Sequence, residues 1–600
     1  MDSLTTVFTT VTDMIRKHAA QHPDRPALTH LRAPGRRPEV LTYGDLDRRA
    51  RGIAARLARE TVAGPGERIL LAHPPGPGFA AAFAGCLYAG MVPVPAPLPG
   101  EVRRDTVRLA ALIEDADIRL ALTDRSAQPE LAMWLSTSGF GHIGCLAADT
   151  PGFDEAHAWT PPPAAAPEDP AFLLYTSGAT GRPRGVLVSH GNAAAGQRSL
   201  QQLLGTDSRS VLGGWLPPYH DLGLAGFLLH TLWLGASAVS LDHTEFVRDP
   251  LRWLQMIDTY GVTVSAAPGF AYDLCVRAVG EEELAGLDLS RWTSALVGGE
   301  PLSAATLAAF TRHFAPAGLR PEALLPCYGL AEATWLVAGA RPGTGPVLRA
   351  VDAVALEQGT LRPAPEDAGA YESGVRTLVG SGIAAGAEVR VVDPQSRTVL
   401  PEGSVGEIWV RGAGVADGYW GRPAESHAVF GATTADGETG FVRTGDMGAV
   451  TADGELFVLG RMKDVMALSG RRVHPEDVER TAAEVSPLAG PGVAFAVEER
   501  LVLVQEVLHA PADAAALIQE LQAHMARALG VEAANVLLVQ PGTVQRTTSG
   551  KARRTLMRQL FLDGRIGARS IRHHVLEPKI AALMPERRRR TLERSRMPVF

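Results

Sequence analysis

Cysteine is scarce in this chain of 600 residues: Cys86, Cys145, Cys275 and Cys327 are the only four. No two stand in C-x-x-C spacing, which argues against a disulfide framework or a thiolate zinc site and suits a reducing cytosol. Cys275 and Cys327 lie among apolar residues and read as buried thiols. Excess positive charge is also missing. The formal net charge is −7, which disfavours nucleic-acid binding as a main role. There is no apolar h-region between Met1 and Ala20, so no signal peptide is expected. An uninterrupted membrane-length run is absent too. Ile69 to Gly100 carries no Asp, Glu, Lys or Arg. However, Pro74, Pro75, Pro77, Pro93, Pro95, Pro97 and Pro99 break it, and a spanning helix needs about 20 apolar residues. Three catalytic signatures are lacking as well: the Walker loop G-x-x-x-x-G-K-[ST], the nucleophile elbow G-x-S-x-G and the zincin H-E-x-x-H.

What is present is a globular composition, 46% hydrophobic and 20% charged, with length for roughly four folding units of about 150 residues. From residue 1 to 158, amphipathic helices alternate with short apolar strands. Asp45 to Glu60 predicts a helix, Arg68 to Ala72 a strand and Phe79 to Ala89 a helix. Val92 to Pro95 is extended, because a residue before proline avoids the helical region. This rhythm argues for α/β layers. Residues 171–340 repeat it, with strands expected near Ser237–Leu241, Val262–Ala266, Thr293–Val297 and Leu324–Cys327. Residues 341–460 turn rich in Gly, Val and Asp, with strand-like runs at Glu388–Val392, Glu407–Val410 and Leu456–Leu459. After Arg461-Met462-Lys463-Asp464 a smaller α/β unit follows to about residue 562. The last stretch contains Glu586-Arg587-Arg588-Arg589-Arg590, a solvated tail or a membrane or partner contact.

The densest local signal is Tyr175-Thr176-Ser177-Gly178-Ala179-Thr180-Gly181-Arg182-Pro183-Arg184-Gly185, between the apolar run Ala171–Leu174 and the β-branched run Val186–Val188. It gathers glycines, hydroxyls and two arginines in one hairpin-like loop. Glycine lets a backbone approach a ligand closely and take positive φ, and bare N–H groups suit a polyphosphate. Since this is not a Walker loop, a nucleoside triphosphate on a different fold is expected.

Four more motifs follow in order: Tyr328-Gly329-Leu330-Ala331-Glu332, Thr444-Gly445-Asp446, Gly460-Arg461-Met462-Lys463-Asp464 and Thr547-Thr548-Ser549-Gly550-Lys551. Together with the glycine loop they resemble the adenylate-forming superfamily of acyl-CoA synthetases, peptide-synthetase adenylation domains, luciferases and fatty acyl-AMP ligases, from about residue 10 to 562. The finer resemblance is to fatty acyl-AMP ligases. It is carried by Trp215-Leu216-Pro217-Pro218-Tyr219-His220-Asp221-Leu222-Gly223-Leu224, by Ala267 to Cys275 and by Tyr328 to Trp335, and an insertion between Gly339 and Leu378 matches in position.

This resemblance implies an α/β fold: a large N-terminal domain, 1–460, of two α/β subdomains plus a β subdomain, and a small mobile C-terminal α/β domain, 465–562. Within the first, 171–340 is the ATP- and acyl-binding subdomain and 341–460 the β-rich one, with the insertion near 340–378. A hinge at 461–464 and a basic tail at 563–600 complete the plan. It also implies roles. Thr176, Ser177, Gly178, Thr180, Gly181 and Arg184 hold the phosphates of ATP. Gly299, Glu300 and Pro301 form the adenine-side loop, with Tyr328 and Gly329 beside the base. Asp446 takes the ribose hydroxyls, and Arg461 contacts ribose or phosphate. Glu332 is the acid associated with Mg²⁺, and His220 gates the acyl carboxylate. Lys463 is the hinge residue, and Lys551 bridges carboxylate and adenylate.

Each residue also has a plainer reading. Glu332 is an acid at a helix start, and Asp446 is a turn-capping Asx residue. Tyr328 is a core tyrosine whose hydroxyl needs a partner, and His220 is a core histidine. Lys463 and Lys551 are exposed lysines.

The implied activity is ATP-dependent activation of a fatty acid to acyl-AMP, with Mg²⁺, and transfer to the phosphopantetheine thiol of a stand-alone acyl carrier protein. The insertion restrains the C-terminal domain against release to free coenzyme A. The expected protein is cytoplasmic, with no nucleic-acid partner and no membrane span. Three departures stand out. Arg184 replaces the usual lysine. Gly298-Gly299-Glu300 replaces G-A-E. Leu468 to Asp477 is closer to the S-G-x-x-x-x-P-x-E form of coenzyme A-using relatives. An acyl-CoA synthetase and a catalytically silent acyl or nucleotide sensor are the alternatives.

Overall fold

The computed structural model describes residues 8, 10–60, 64–100, 103–150, 155–176, 183–365, 374–468, 471–486, 488–546, 552–566 and 570–573. Its centre is a nine-stranded sheet. The order is Ile383–Ala384, Trp335–Gly339, Leu324–Leu330, Ser294–Val297, Val264–Ala267, Val211–Gly214, Ser237–Ser240, Pro26–His30 and Glu39–Thr42. The six strands from Leu324–Leu330 to Pro26–His30 run parallel, and antiparallel strands close both edges. Short runs such as Ser-Ala-Leu-Val at 294–297 are buried at every position, as a parallel sheet covered on both faces requires. The sheet is not contiguous in sequence: Leu28 pairs with Ala238.

A second parallel sheet orders Val92–Ala96, Arg68–Ala72, Leu120–Thr123 and Gly144–Ala147. The charge-free stretch of Ile69–Gly100 therefore becomes strand, helix and strand. Its helix, Pro77–Tyr88, starts with proline inside the first turn and is buried at every position but Gly78. Gly85 lets this helix pack on Tyr43–Glu60, since a Cβ there would lie 2.5 Å from Ile53 Cγ2. Val92–Ala96 is the edge strand. The Val92 N–H donates to the carbonyl of Glu67 at 2.9 Å, so residues 92, 94 and 96 face the sheet and Pro93 and Pro95 face away. Proline lacks the N–H a central strand needs, so the edge is where it fits.

The hairpin Pro170–Thr176 with Arg184–Ser189 aligns Thr176 opposite Arg184. An antiparallel four-stranded sheet follows, ordered Glu388–Val392, Gly406–Arg411, Val442–Val450 and Leu456–Arg461. The segment expected to be an insertion holds a second antiparallel pair, Leu348–Asp352 with Val375–Val379, and the short helix Ala353–Glu357. The C-terminal unit has its own sheet, Ala489–Val497, Arg500–Val507, Ala533–Val539 and Ser570–His573, and its own apolar clusters around Leu503 and Val504. Among the described residues no helix is long and apolar enough to cross a membrane.

Candidate active site

The carboxyl ends of the parallel strands converge on one crevice, the usual place for a ligand in an open α/β sheet. Val211–Gly214 runs into Trp215–His220, Val264–Ala267 into Pro268–Phe270, and Ser294–Val297 into Gly298–Pro301. His220 precedes the short helix Asp221–Gly223 and places Nδ1 2.6 Å from Asp221 Oδ1. The loop Gly298–Pro301, expected beside adenine, is held by Glu300, whose Oε1 accepts from the Phe270 N–H at 2.7 Å. Pro301 is exposed at the rim.

Tyr328 and Asp446, 118 residues apart, meet in this crevice. The buried Tyr328 hydroxyl donates to Asp446 Oδ2 at 2.6 Å. Asp446 Oδ1 lies 2.7 Å from Arg461 Nε, and the Asp446 N–H donates to Thr444 Oγ1 at 3.0 Å. Tyr328 therefore has the buried hydroxyl partner its burial demands, and that partner is the carboxylate expected to read a ribose. Burial and the adjacent carboxylate raise the Tyr328 pKa well above the usual phenol range. A carboxylate has about four lone-pair sites, so Asp446 keeps acceptor capacity for two hydroxyls. Gly329 has no room for a side chain, because a Cβ there would lie 1.8 Å from the Trp335 carbonyl oxygen.

Glu332 sits in a three-residue 3₁₀ turn, Ala331–Ala333, too short to make it a helix-capping acid of any weight. Its Oε1 accepts from the Tyr419 hydroxyl at 2.8 Å. The same tyrosine carries Arg184 on its face, with the guanidinium carbon 4.7 Å from the ring centroid. A flat guanidinium stacks in this way and an ammonium does so less well, which gives the lysine-to-arginine departure a physical partner. Arg184 also lies 3.8 Å from Glu425, and Arg422 Nε donates to Asp115 Oδ1 at 2.8 Å. The Tyr175 hydroxyl donates to the other oxygen of Asp115 at 2.7 Å. The glycine-loop hairpin is thereby tied to residues more than two hundred positions away.

Thr176 Oγ1 and Arg184 Nε are buried and find no partner among the described residues. Both sit at the mouth of the glycine loop, where an anionic ligand would satisfy them. Ser177, Gly178, Thr180 and Gly181 lie outside the described residues, as does Lys551. Among the described residues, no group of three His, Cys, Asp or Glu side chains could hold a metal ion. A cation at Glu332 would draw its other oxygens from phosphate and water. That is the habit of Mg²⁺, so the donor set fits it.

Beside the polar cluster lies an apolar cavity lined by Leu216, Leu222, Phe227 and Trp335 among others. Trp335 and its neighbour Thr334 adopt φ of 111° and 57°. For an aromatic and a β-branched residue this costs about 1–3 kcal/mol each and is characteristic of functional sites. Trp233 does not line this cavity; it packs with Val11 and Met14 at another.

The segment expected to be the hinge forms a 3₁₀ turn, Met462–Asp464, with Lys463 exposed. Arg554 Nη2 reaches Glu476 at 3.0 Å and Glu479 at 2.8 Å, and its Nη1 lies 3.6 Å from Asp464. Two arginines join the insertion to the C-terminal unit. Arg376 lies 3.0 Å from Asp477, and Arg471 Nε donates to Glu357 at 3.0 Å.

The AMP-binding enzyme family model matches residues 15–420. This chain is an AMP-binding enzyme. Among its relatives is the medium-chain-fatty-acid–[acyl-carrier-protein] ligase JamA of Moorena producens. It is 36% identical over 575 residues, covering 93% of this chain and 96% of that protein. The long-chain-fatty-acid–AMP ligase FadD26 of Mycobacterium marinum is 34% identical, covering 91% and 96%. The crystal structure of a fatty acyl-adenylate ligase from L. pneumophila with acyl adenylate and pyrophosphate superposes with a TM-score of 0.74. It is 31% identical, covering 96% of this chain and 99% of that one.

Sequence reading of this AMP-binding enzyme missed Tyr419, Asp115, Arg422, Glu357 and Arg376. Tyr419 and Asp115 lie in segments without phosphate-binding spacing, and their partners are fixed only by the fold. A tyrosine just after Gly418 was the one local hint.

Proposed function

We propose that this enzyme activates a fatty acid with ATP and passes the acyl group to the phosphopantetheine thiol of a stand-alone acyl carrier protein in the cytosol. The observation that carries the reading is an apolar cavity lined by Leu216, Leu222 and Trp335, residues that flank His220 and Glu332 in the chain, together with the polar cluster Tyr328–Asp446–Arg461. The apolar side suits a hydrocarbon chain and the polar cluster a nucleotide. A carboxylate is a poor acyl donor, because oxide is a poor leaving group. In the first half-reaction a carboxylate oxygen attacks the α-phosphorus of ATP. The new O–P bond makes a mixed anhydride, and the bond to the β-phosphate oxygen breaks to release pyrophosphate.

Two anions must meet, so catalysis depends on fixed positive charge and oriented donors. Thr176, Ser177, Thr180, Arg184 and the amides at Gly178 and Gly181 would hold the β- and γ-phosphates. Asp446 would accept from the ribose, with Arg461 beside it. Gly299, Glu300, Pro301, Tyr328 and Gly329 would frame adenine. His220 would stand at the carboxylate, and Lys551 would bridge carboxylate and α-phosphate. Glu332 would hold Mg²⁺, which supplies charge neutralisation on phosphate oxygens when bound. In the second half-reaction the carrier thiol loses its proton and attacks the acyl carbon. The C–S bond forms, the C–O bond to phosphate breaks and AMP leaves. Lys463 would be the pivot between the two steps.

The segment 340–378 supports this acceptor. Its Glu357 and Arg376 grip Arg471 and Asp477 of the C-terminal unit, which supports restrained access for free coenzyme A. The test supplies ATP, fatty acid and either holo-carrier protein or coenzyme A, with mass spectrometry of the products. Acyl-carrier protein is expected. Abundant acyl-CoA would overturn the acceptor, and the absence of fatty-acid-dependent pyrophosphate exchange would overturn the activity itself.

A further inference from the structure

A strip of chain, 413–420, joins the turn that carries Glu332 to the hairpin of the glycine loop. At its first end the Ala416 N–H donates to the Glu332 carbonyl at 2.9 Å. The Thr334 hydroxyl donates to the Gly414 carbonyl at 2.6 Å. Asn192 Nδ2 donates to the carbonyls of Ala413 and Val415 at 3.1 and 2.8 Å. At its other end the strip lies along Arg184–Ser189, with Tyr419 opposite Val186 in an antiparallel bridge. There the Leu187 N–H donates to the Gly418 carbonyl at 2.9 Å and the Trp420 N–H to the Gly185 carbonyl at 2.8 Å.

The side chain of Tyr419 touches both ends. Its hydroxyl donates to Glu332 Oε1 at 2.8 Å, and its ring faces the Arg184 guanidinium at 4.7 Å. The residue is buried. Its ring meets Phe430 edge to face with centroids 5.1 Å apart, and its N–H donates to Ser426 Oγ at 2.8 Å. Hydroxyl and ring face are therefore fixed together. The hydroxyl takes one oxygen of the Glu332 carboxylate and turns the other outward as an acceptor. The ring holds the guanidinium flat, with its buried Nε left without a partner among the described residues. One side chain thus sets a carboxylate suited to a cation and an arginine suited to phosphate. Packing alone would make Tyr419 matter to stability, but it would not separate the effect of the hydroxyl from that of the ring.

We propose that Tyr419 is a positioning residue that holds Glu332 and Arg184 in one fixed relation, so that the cation and the phosphates of ATP bind as a unit. The proposal rests on the reading of Glu332 as the acid that holds Mg²⁺, and it adds the residue that aims that acid. The experiment takes the full-length enzyme without fatty acid and uses Mn²⁺ as the probe. Mn²⁺ is titrated in the presence of α,β-methylene-ATP, whose α–β bridge does not break, and free Mn²⁺ is read by electron paramagnetic resonance. Calorimetry gives the affinity for the same analogue without metal. Tyr419→Phe keeps the ring and removes the hydroxyl. Losing a hydrogen bond that orients a metal-holding carboxylate costs about ten- to hundredfold in metal affinity. Mn²⁺ binding is expected to weaken by that factor, with metal-free analogue binding unchanged. In pyrophosphate exchange the Mg²⁺ needed for half-maximal rate should rise likewise, and excess Mg²⁺ should restore kcat. Tyr419→Leu removes the ring as well and should also weaken metal-free analogue binding, by about two- to fivefold for a lost cation–π contact. Folded Tyr419→Phe with unchanged Mn²⁺ affinity overturns the proposal, as does a kcat loss that excess Mg²⁺ does not restore. Folded Tyr419→Leu with unchanged metal-free binding overturns the link to Arg184. Tyr419→Phe is the milder exchange and decides the proposal where Tyr419→Leu fails to fold. Glu332→Gln that binds Mn²⁺ as the wild type does instead removes the metal reading of Glu332, and the proposal with it.

Discussion

Disconnecting the insertion from the C-terminal unit should let coenzyme A compete for the acyl group. The perturbation is the double variant Glu357→Gln, Arg376→Met. Glu357 and Arg471 are 25% and 38% exposed, so their bidentate pair contributes about 0.5–1 kcal/mol after solvent screening. Arg376 and Asp477 are more enclosed, at 15% and 7%. Stripping a buried carboxylate of every partner costs about 3–5 kcal/mol. Here, however, Arg480 remains 3.0 Å from Asp477, so the loss is nearer the ~1.5 kcal/mol of one charged hydrogen bond. Together the two changes loosen the docked arrangement by about 2 kcal/mol, roughly thirtyfold in population. The assay follows acyl-CoA and acyl-carrier products by mass spectrometry beside hydrogen exchange over Pro475–Ala483. Acyl-CoA should rise by about that factor while acyl-AMP formation stays unchanged, since neither residue touches the adenylation site. Faster exchange without acyl-CoA would refute the restraint, and unchanged exchange would show that these pairs do not hold the unit.

Other outcomes are expected from the site. Lys551→Ala should lose pyrophosphate exchange by orders of magnitude yet keep transfer from preformed acyl-AMP; equal loss in both steps, measured separately, would contradict a swivelling lysine. Arg184→Lys gives up a cation–π contact of about 1 kcal/mol or less, so turnover should stay within about tenfold of wild type. Tyr328→Phe leaves Asp446 to Arg461 alone and should raise the KM for ATP roughly tenfold, about 1.4 kcal/mol, with the KM for fatty acid unmoved in steady-state kinetics. His230 is fully buried between Gln197 and Thr206, at 2.9 Å from each, and burial pushes its pKa down to about 3. The unfolded chain therefore binds that proton first, so stability is whole above pH ~6.5 and falls as pH drops toward 3. Melting temperatures across that window should show a flatter slope for His230→Gln.

Much of this site is written locally in the chain. The hairpin around the glycine loop, the parallel strands Ser237–Ser240 and Ser294–Val297 and the edge strand at Val92 follow from apolar runs, glycines and prolines whose effects reach only a few residues. Asp446 and Tyr328 were legible one at a time, because each sits in its own short motif. Their hydrogen bond was not, since 118 residues separate them and only the register of two sheets brings them together. The same holds for Tyr419 under Arg184 and for Asp115 under Arg422. The positive φ at Thr334 and Trp335 was hidden for the opposite reason. Residue preference argues against it, and only the surrounding packing imposes it.

The prolines at 93 and 95 have a bearing on how the molecule coexists with its neighbours. Facing away from the sheet, they leave the outer border of Val92–Ala96 without the donors that a newcomer's backbone would need. An incoming strand would find carbonyl acceptors at Pro93 and Pro95 but no N–H donors, so a complete ladder cannot form there. The strand Pro170–Thr176, whose Leu173 and Tyr175 share an apolar cluster with Val92 and Val94, is consequently joined to that cluster by side chains alone. The segment leading into the glycine loop therefore leans on that edge strand through packing, and the Tyr175 carbonyl accepts from Arg108 Nη2 of the neighbouring helix at 3.4 Å.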